Sequence, residues 1–248
     1  MRRARRSTTA HTGWSAISGR IRVVDYRQER RLIVRGAILS AYPLDGDWSA
    51  IEREYWWQGV ASVRFPPEPS VLLVGLGGGT QAHLVHRLTT PRLVTAIERD
   101  PVILDVARRW FGLADLGPME FYCGDAETVA AALLDAGRRF DFVMEDAAYA
   151  DRDRSRPVVE ALVPLVTADG TLVVNRHRRG DAGALVRMLR RRFESVRTQR
   201  VRREGENVLI YASRRRIDSS EASRVVPTYQ ASTRPRNSPV SSTTSAWA

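Results

Sequence analysis

From Ser70 onward, short apolar runs alternate with amphipathic stretches, the pattern of βα units repeated around a parallel sheet. The runs predict strands over residues 71–75, 93–98, 119–123, 140–145 and 170–175, followed by two more in SVRTQRV and NVLIYAS. Helices are expected to begin near Thr80, Pro101, Ala126, Arg156 and Asp181. Only the last two strands lack a helix between them. Their connection, RREGEN, is short and polar, so a hairpin should finish the sheet with one antiparallel strand.

The chain before this repeat is of a different kind. Residues 1–19 are polar and basic without periodicity and read as a flexible arm. Two β-rich runs, 21–25 and 31–42, are split by the polar YRQER, which predicts a small hairpin. Asp47 and Ser49 offer capping side chains ahead of AIEREYWWQGVASV, a helix of about three turns closed by Pro66, Pro67 and Pro69. The expected organisation is thus a basic arm over 1–19, hairpin and helix over 20–69, the α/β unit over 70–213, and a tail over 214–248. That tail, rich in Ser, Thr, Pro and Arg, is expected to be disordered.

The net charge of +11 is carried by arginine alone, since the chain contains no lysine. It is regional: six arginines and no acid occupy the first 22 residues, and eleven arginines stand against Asp181 and Glu194 over 174–203. Such regions suit a polyanion such as nucleic acid, but a free arm and a solvated helix face account for them equally, and nucleic acid is not the favoured partner. No apolar run approaches the roughly 20 residues of a membrane span. The chain therefore reads as soluble and cytoplasmic, with no membrane partner. The single cysteine, Cys123, excludes an internal disulfide framework and lies in an apolar run, where packing is its expected role. No metal site is read from the sequence.

The strand over 71–75 runs into Gly75-Leu76-Gly77-Gly78-Gly79 and then a helix. Missing side chains at such a turn let a ligand approach backbone amides and the helix N-terminus. The next strand ends at Glu98, about twenty residues on, where an acid can accept both hydroxyls of a ribose. Together these predict a Rossmann-like site for a nucleoside. The dinucleotide form G-x-G-x-x-G would need glycine where Thr80 stands; the match is to G-x-G-x-G. With Gly124-Asp125 after the third strand, the pattern resembles the S-adenosylmethionine-binding fold of class I methyltransferases. The resemblance implies that Asp125 accepts from the adenine amino group, with Tyr122 or Cys123 near the ring. Asp125 is also well placed simply to cap the following helix.

Within that superfamily the chain resembles the spermidine synthase family, the polyamine aminopropyltransferases, over about residues 21–213. RLIVRGAILS resembles the family hairpin L-x-L-D-G-x-x-Q, IEREY its E-F-x-Y-H-E helix, VLLVGLGGGT its V-L-V-I-G-G-G-D-G-G, AIERDP its V-E-I-D-P, and FDFVMED its Y-D-V-I-I-V-D. The resemblance implies S-adenosylmethionine or its decarboxylated form as cofactor. Its binding would fall to Gly75, Gly77, Gly78, Gly79, Glu98, Arg99, Gly124, Asp125 and Asp146. It also implies a small-molecule acceptor, an amine in the family, and a homodimer.

The acceptor side departs from the family. A second aspartate three residues after the strand-four aspartate deprotonates the amine in the family; here Asp146 is followed at that spacing by Tyr149. Leu39 stands at the hairpin glutamine, and Trp56-Trp57 at the His-Glu after Tyr55. Asp146 is expected to face both cofactor and acceptor, with Tyr149 and Asp151 as the other catalytic candidates. Asp151 and Asp153 also fit a solvated DRDR loop. Tyr55, Trp56 and Tyr149 are the candidates for holding the acceptor; the tryptophans could instead dock their helix on the sheet. The expected activity is that of a spermidine synthase-like transferase. The alternatives are a methyltransferase acting on a small molecule or nucleic acid, and a cofactor-binding protein without catalysis.

Overall fold

A computed structural model describes residues 7–147, 155–177, 181–202 and 206–215. Four strands, β1 (Thr8–Ser15), β2 (Gly19–Asp25), β3 (Glu29–Val34) and β4 (Ala37–Pro43), make an antiparallel sheet in sequence order. Then come α1 (Tyr55–Ala61), β5 (Ser70–Val74), α2 (Thr80–Leu88), β6 (Leu93–Glu98), α3 (Pro101–Trp110), β7 (Met119–Cys123) and α4 (Ala126–Asp135). The chain continues through β8 (Phe140–Glu145), α5 (Ser155–Leu162), β9 (Val166–His177), α6 (Ala182–Leu189), β10 (Ser195–Arg202) and β11 (Glu206–Ser213).

The second sheet has seven strands in the order β10-β11-β9-β8-β5-β6-β7. β5 to β9 pair in parallel, while β11 is antiparallel to both neighbours. The mostly parallel α/β architecture and its antiparallel last strand are as the sequence predicts. β11 is not at the edge, however. It is inserted between β9 and β10, because the α6 crossover brings β10 in parallel to β9 and the hairpin then turns β11 back between them.

Alternation along the strands divides the core. Leu72 and Val74 of β5 face a cluster with Val158 and Leu162 of α5 and Leu185 of α6. Val71 and Leu73 face the opposite layer, with Val60 of α1, Ala82 and Val85 of α2 and Ala107 of α3. A third cluster joins the first sheet to α3 through Ile21, Val23, Leu32, Ile103, Val106 and Phe111.

The N-terminal region differs from expectation in three ways. Residues 8–15 are not a free arm: β1 pairs with β2 along its length, His11 stacks on Trp110 at 5.7 Å, and Ser15 is buried. A polar strand shows no hydrophobic period, so its partner rather than its own composition orders it. The run 31–42 is two strands, broken at Arg35 and Gly36, both with positive φ. α1 is shorter than the apolar pattern suggests. Trp48 and Ile51 are buried by tight turns ahead of it, with Ile51 N–H donating to Trp48 O at 2.9 Å, and Asp47 caps Ser49 N–H at 2.9 Å rather than the helix. The expected tail beyond residue 215 lies outside the described residues. Among the described residues no helix is long and apolar enough to cross a membrane.

Candidate active site

Strand order reverses at β5, which has β6 on one side and β8 on the other; the crevice beyond the strand ends at such a point is where α/β sheets take ligands. A cavity of about 970 Å³ lies there. Of the residues singled out from sequence, Gly75, Gly77, Glu98, Arg99, Gly124, Asp125, Asp146, Tyr55 and Trp56 line it. Tyr149, Asp151 and Asp153 lie outside the described residues.

Gly78 and Gly79 face the protein instead. A Cβ on Gly78 would lie 2.9 Å from Ser40 Cβ, and one on Gly79 2.5 Å from Leu113 Cδ2. Their missing side chains admit β4 and the turn after α3, not a ligand. Thr80, where a dinucleotide fingerprint would have glycine, also serves the packing of β4, since its hydroxyl donates to Ala41 O at 2.9 Å and accepts from Ala41 N–H at 3.0 Å. Ser40 Oγ accepts from Gly78 N–H at 2.6 Å. Strand β4 thus clamps the glycine turn from outside the α/β unit.

Glu98 is gripped by backbone. Gly77 N–H donates to Oε2 at 3.2 Å and Asp100 N–H to Oε1 at 3.0 Å, which aims the carboxylate at the cavity wall. Burial pushes its carboxyl up from the usual range, against the pull of those amides. Asp100 caps α3 by accepting from Val102 N–H at 2.9 Å, with Pro101 at the first helical position. Asp125 likewise caps α4, accepting from Glu127 N–H at 3.3 Å, and also lines the cavity, so the cap does not withdraw it from the crevice. Cys123, expected in packing, is exposed, because β7 is the edge strand and the residue lies at its end.

Asp146 is gripped by side chains. Tyr55 Oη and Gln81 Nε2 each donate to Oδ2 at 3.1 Å, and Asn175 Nδ2 donates to Oδ1 at 2.6 Å. Its backbone N–H donates to Val74 O at 2.8 Å, tying the turn after β8 to the end of β5. Burial raises the carboxyl to about 7; the bonds from Asn175 and Tyr55 and the charge of Arg176 pull down, and neighbouring Glu145 pushes up. Tyr55 beside it is raised well above an ordinary tyrosine by burial and by the Asp146 charge. Behind this group the fully buried Glu145 pairs with Arg176 Nη1, and Arg176 Nε reaches Asp181 at 3.1 Å. Arg176 therefore does not belong to a basic surface: it is 7% exposed and braces the floor of the site.

Trp56 is buried and reaches the cavity with Tyr55, whereas Trp57 packs into the core layer under α1, so the pair is not a double aromatic wall. Among the lining residues that were not singled out from sequence are Gln81, Asn175 and Asn207. Their signal is faint, a polar residue in the first turn after the glycines and asparagines at the ends of otherwise apolar strands. Among the described residues no group of three or more His, Cys, Asp or Glu is placed to hold a metal ion.

No known protein-family profile matches the chain. An eEF1A lysine and N-terminal methyltransferase of Danio rerio is 38% identical over 90 residues, 36% of this chain and 13% of that protein. A polyamine aminopropyltransferase of Vibrio vulnificus is 26% identical over 121 residues, 47% of this chain and 40% of that protein. The match thus spans well under half the length of either relative. Spermidine synthase from Thermotoga maritima superposes with a TM-score of 0.64 at 17% identity, covering 83% of this chain and 72% of that one. The fold is that of the spermidine synthase-like class I methyltransferases. Human methyltransferase-like protein 13, solved in complex with SAH, shares it with a TM-score of 0.56 at 20% identity, over 70% of this chain and 88% of that one.

Proposed function

We propose that this spermidine synthase-like protein is a transferase that binds S-adenosylmethionine or its decarboxylated form and transfers a carbon group to an amine. The observation that carries the reading is the meeting, in one cavity, of the glycine turn, Glu98, Asp125 and a side-chain-held Asp146. The residues fit such a cofactor. Glu98, already held by backbone amides, would accept from ribose hydroxyls, Asp125 from an adenine amino group, and Gly75 and Gly77, which line the cavity, would present their backbone to the amino-acid end. Arg99 and Gly124 complete that side. When bound, the cofactor supplies a carbon made electrophilic by its sulfonium.

The chain's own part is positioning and proton handling. Asp146, which lines the cavity, would stand beside the nucleophile, and with a carboxyl raised to about 7 it exchanges a proton readily at neutral pH. An ammonium group losing one proton to the Asp146 carboxylate exposes the nitrogen lone pair for attack. Tyr55 and Trp56 would flank the acceptor. Leu39 and Trp56 stand where the aminopropyltransferases carry polar groups for a second ammonium, which favours methyl transfer to a single amine over aminopropyl transfer to a diamine. A solvent-exposed amine on a protein is one acceptor of this chemistry, in keeping with the activity named for the Danio rerio relative.

Calorimetry with S-adenosylmethionine, its decarboxylated form, methylthioadenosine and NAD tests the cofactor half. S-adenosylmethionine should bind; binding of NAD alone would overturn the reading. Spermidine formed from putrescine and the decarboxylated cofactor at an ordinary enzymatic rate would replace methyl transfer by aminopropyl transfer.

A further inference from the structure

Beyond the end of β8 and along β9 and β11, the cavity wall carries three polar side chains in a row: Asp146, Asn175 and Asn207. Asn175 lies opposite Leu209 across the β9/β11 ladder, and Asn207 is two residues along β11 from Leu209. The two asparagines are therefore on one face as diagonal neighbours. Asn207 Nδ2 donates to Asn175 Oδ1 at 2.9 Å, and Asn175 Nδ2 donates to Asp146 Oδ1 at 2.6 Å.

An amide is unsymmetrical. Its NH₂ end stabilises a carboxylate, and its carbonyl end stabilises a carboxylic acid. With both ends of Asn175 engaged and Asn207 keeping its NH₂ toward it, turning the Asn175 amide around would set NH₂ against NH₂ at Asn207 and carbonyl against carboxylate at Asp146. Both bonds would then be lost. We infer that Asn207 is a positioning residue, acting through Asn175 to keep an N–H directed at Asp146 so that this group meets the acceptor as a proton-accepting carboxylate.

The inference rests on the reading of Asp146 as the acceptor-facing group. The ionisable groups around that carboxyl are Tyr55 from α1, Glu145 at the end of β8 and Arg176 from β9, while α2 presents the neutral Gln81. None of them sets the direction of the Asn175 amide; among the described residues the only side chain bonded to its Oδ1 is Asn207.

The test is a carboxyl carbon-13 NMR titration of Asp146 in the full chain without cofactor, with the signal assigned by its loss in Asp146→Asn. Asn207→Leu should raise the Asp146 midpoint by about one pH unit, a tenfold loss of carboxylate at fixed pH below the midpoint. Asn207→Asp should raise it further, because a carboxylate can only accept and would draw the Asn175 NH₂ to itself. Asn207→Gln, which keeps a donor, should lie nearer the parent protein. Should the leucine variant fail to fold, the aspartate and glutamine variants carry the comparison. A midpoint in the leucine and aspartate variants within about 0.2 units of the parent would overturn the inference, since a side chain that merely supports the strand would leave it unmoved. Failure of the proposed function appears separately, as absent S-adenosylmethionine binding in the parent protein.

Discussion

The two halves of the cavity hold their carboxylates by different means. On the β5–β7 side, Glu98 is gripped by the amides of Gly77 and Asp100, and Asp125 by the amide of Glu127. On the β8–β11 side, Asp146 is gripped by Tyr55, Gln81 and Asn175, from three different elements. Backbone amides come with the turn and cannot be substituted away, so the first half suits a constant ligand. Side-chain donors can be exchanged one at a time, so the second half is where an acceptor preference can change without disturbing the fold.

The largest effect should come from the backbone-built half. A Cβ on Gly75 would stand 2.8 Å from the backbone of Ala147 and from Asp146 O, at a φ of +86°. Gly75→Ala should cost about 4 kcal/mol of unfolding free energy, combining strain with a clash that backbone atoms cannot relieve. Denaturant unfolding checks this, and a loss under about 1 kcal/mol would show that the two halves are not locked together at this point.

Next is Glu98→Ala. Losing charge-assisted bonds to a ribose should weaken any adenosine ligand by roughly 30- to 100-fold, read by calorimetry. An unchanged affinity would remove Glu98 from the cofactor side.

The smallest effect concerns pH. The Asp146 carboxyl is held at about 7 in the folded protein against an ordinary 3.8. Being raised, it contributes stability that is fully present below about 3.8 and lost as pH rises through about 7. The stability of the parent protein relative to Asp146→Asn should therefore fall between those values and level off above them. The change should be of order 1–2 kcal/mol, since solvent entering the cavity screens the group. A flat difference between pH 4 and 8 would mean that the side-chain donors offset the effect of burial on this carboxyl.

The halves also differ in how far they can be read from the chain. Strand, glycine turn, helix, strand and acid are consecutive, so the fold of residues 70–213 and the placement of Glu98 and Asp125 follow from local pattern. Gly78 and Gly79 show the limit: the pattern marks them as glycines, but whether the vacant space serves a ligand or β4 and Leu113 depends on what packs there. β1 is a stronger case, since a polar strand becomes visible only with β2 beside it. Arg176 reads as part of a basic stretch in the chain, and only the fold sets Glu145 and Asp181 around it.

By itself, then, the sequence determined the order of βα units and the backbone-held acids, because hydrophobic period, glycine and capping residues act over a few positions. Only the tertiary structure decided that Tyr55, Gln81, Asn175 and Asn207 converge on Asp146. Those residues are brought together by the crossing of α1 and α2 over the sheet and by the insertion of β11 beside β9, contacts between distant segments that leave no local trace.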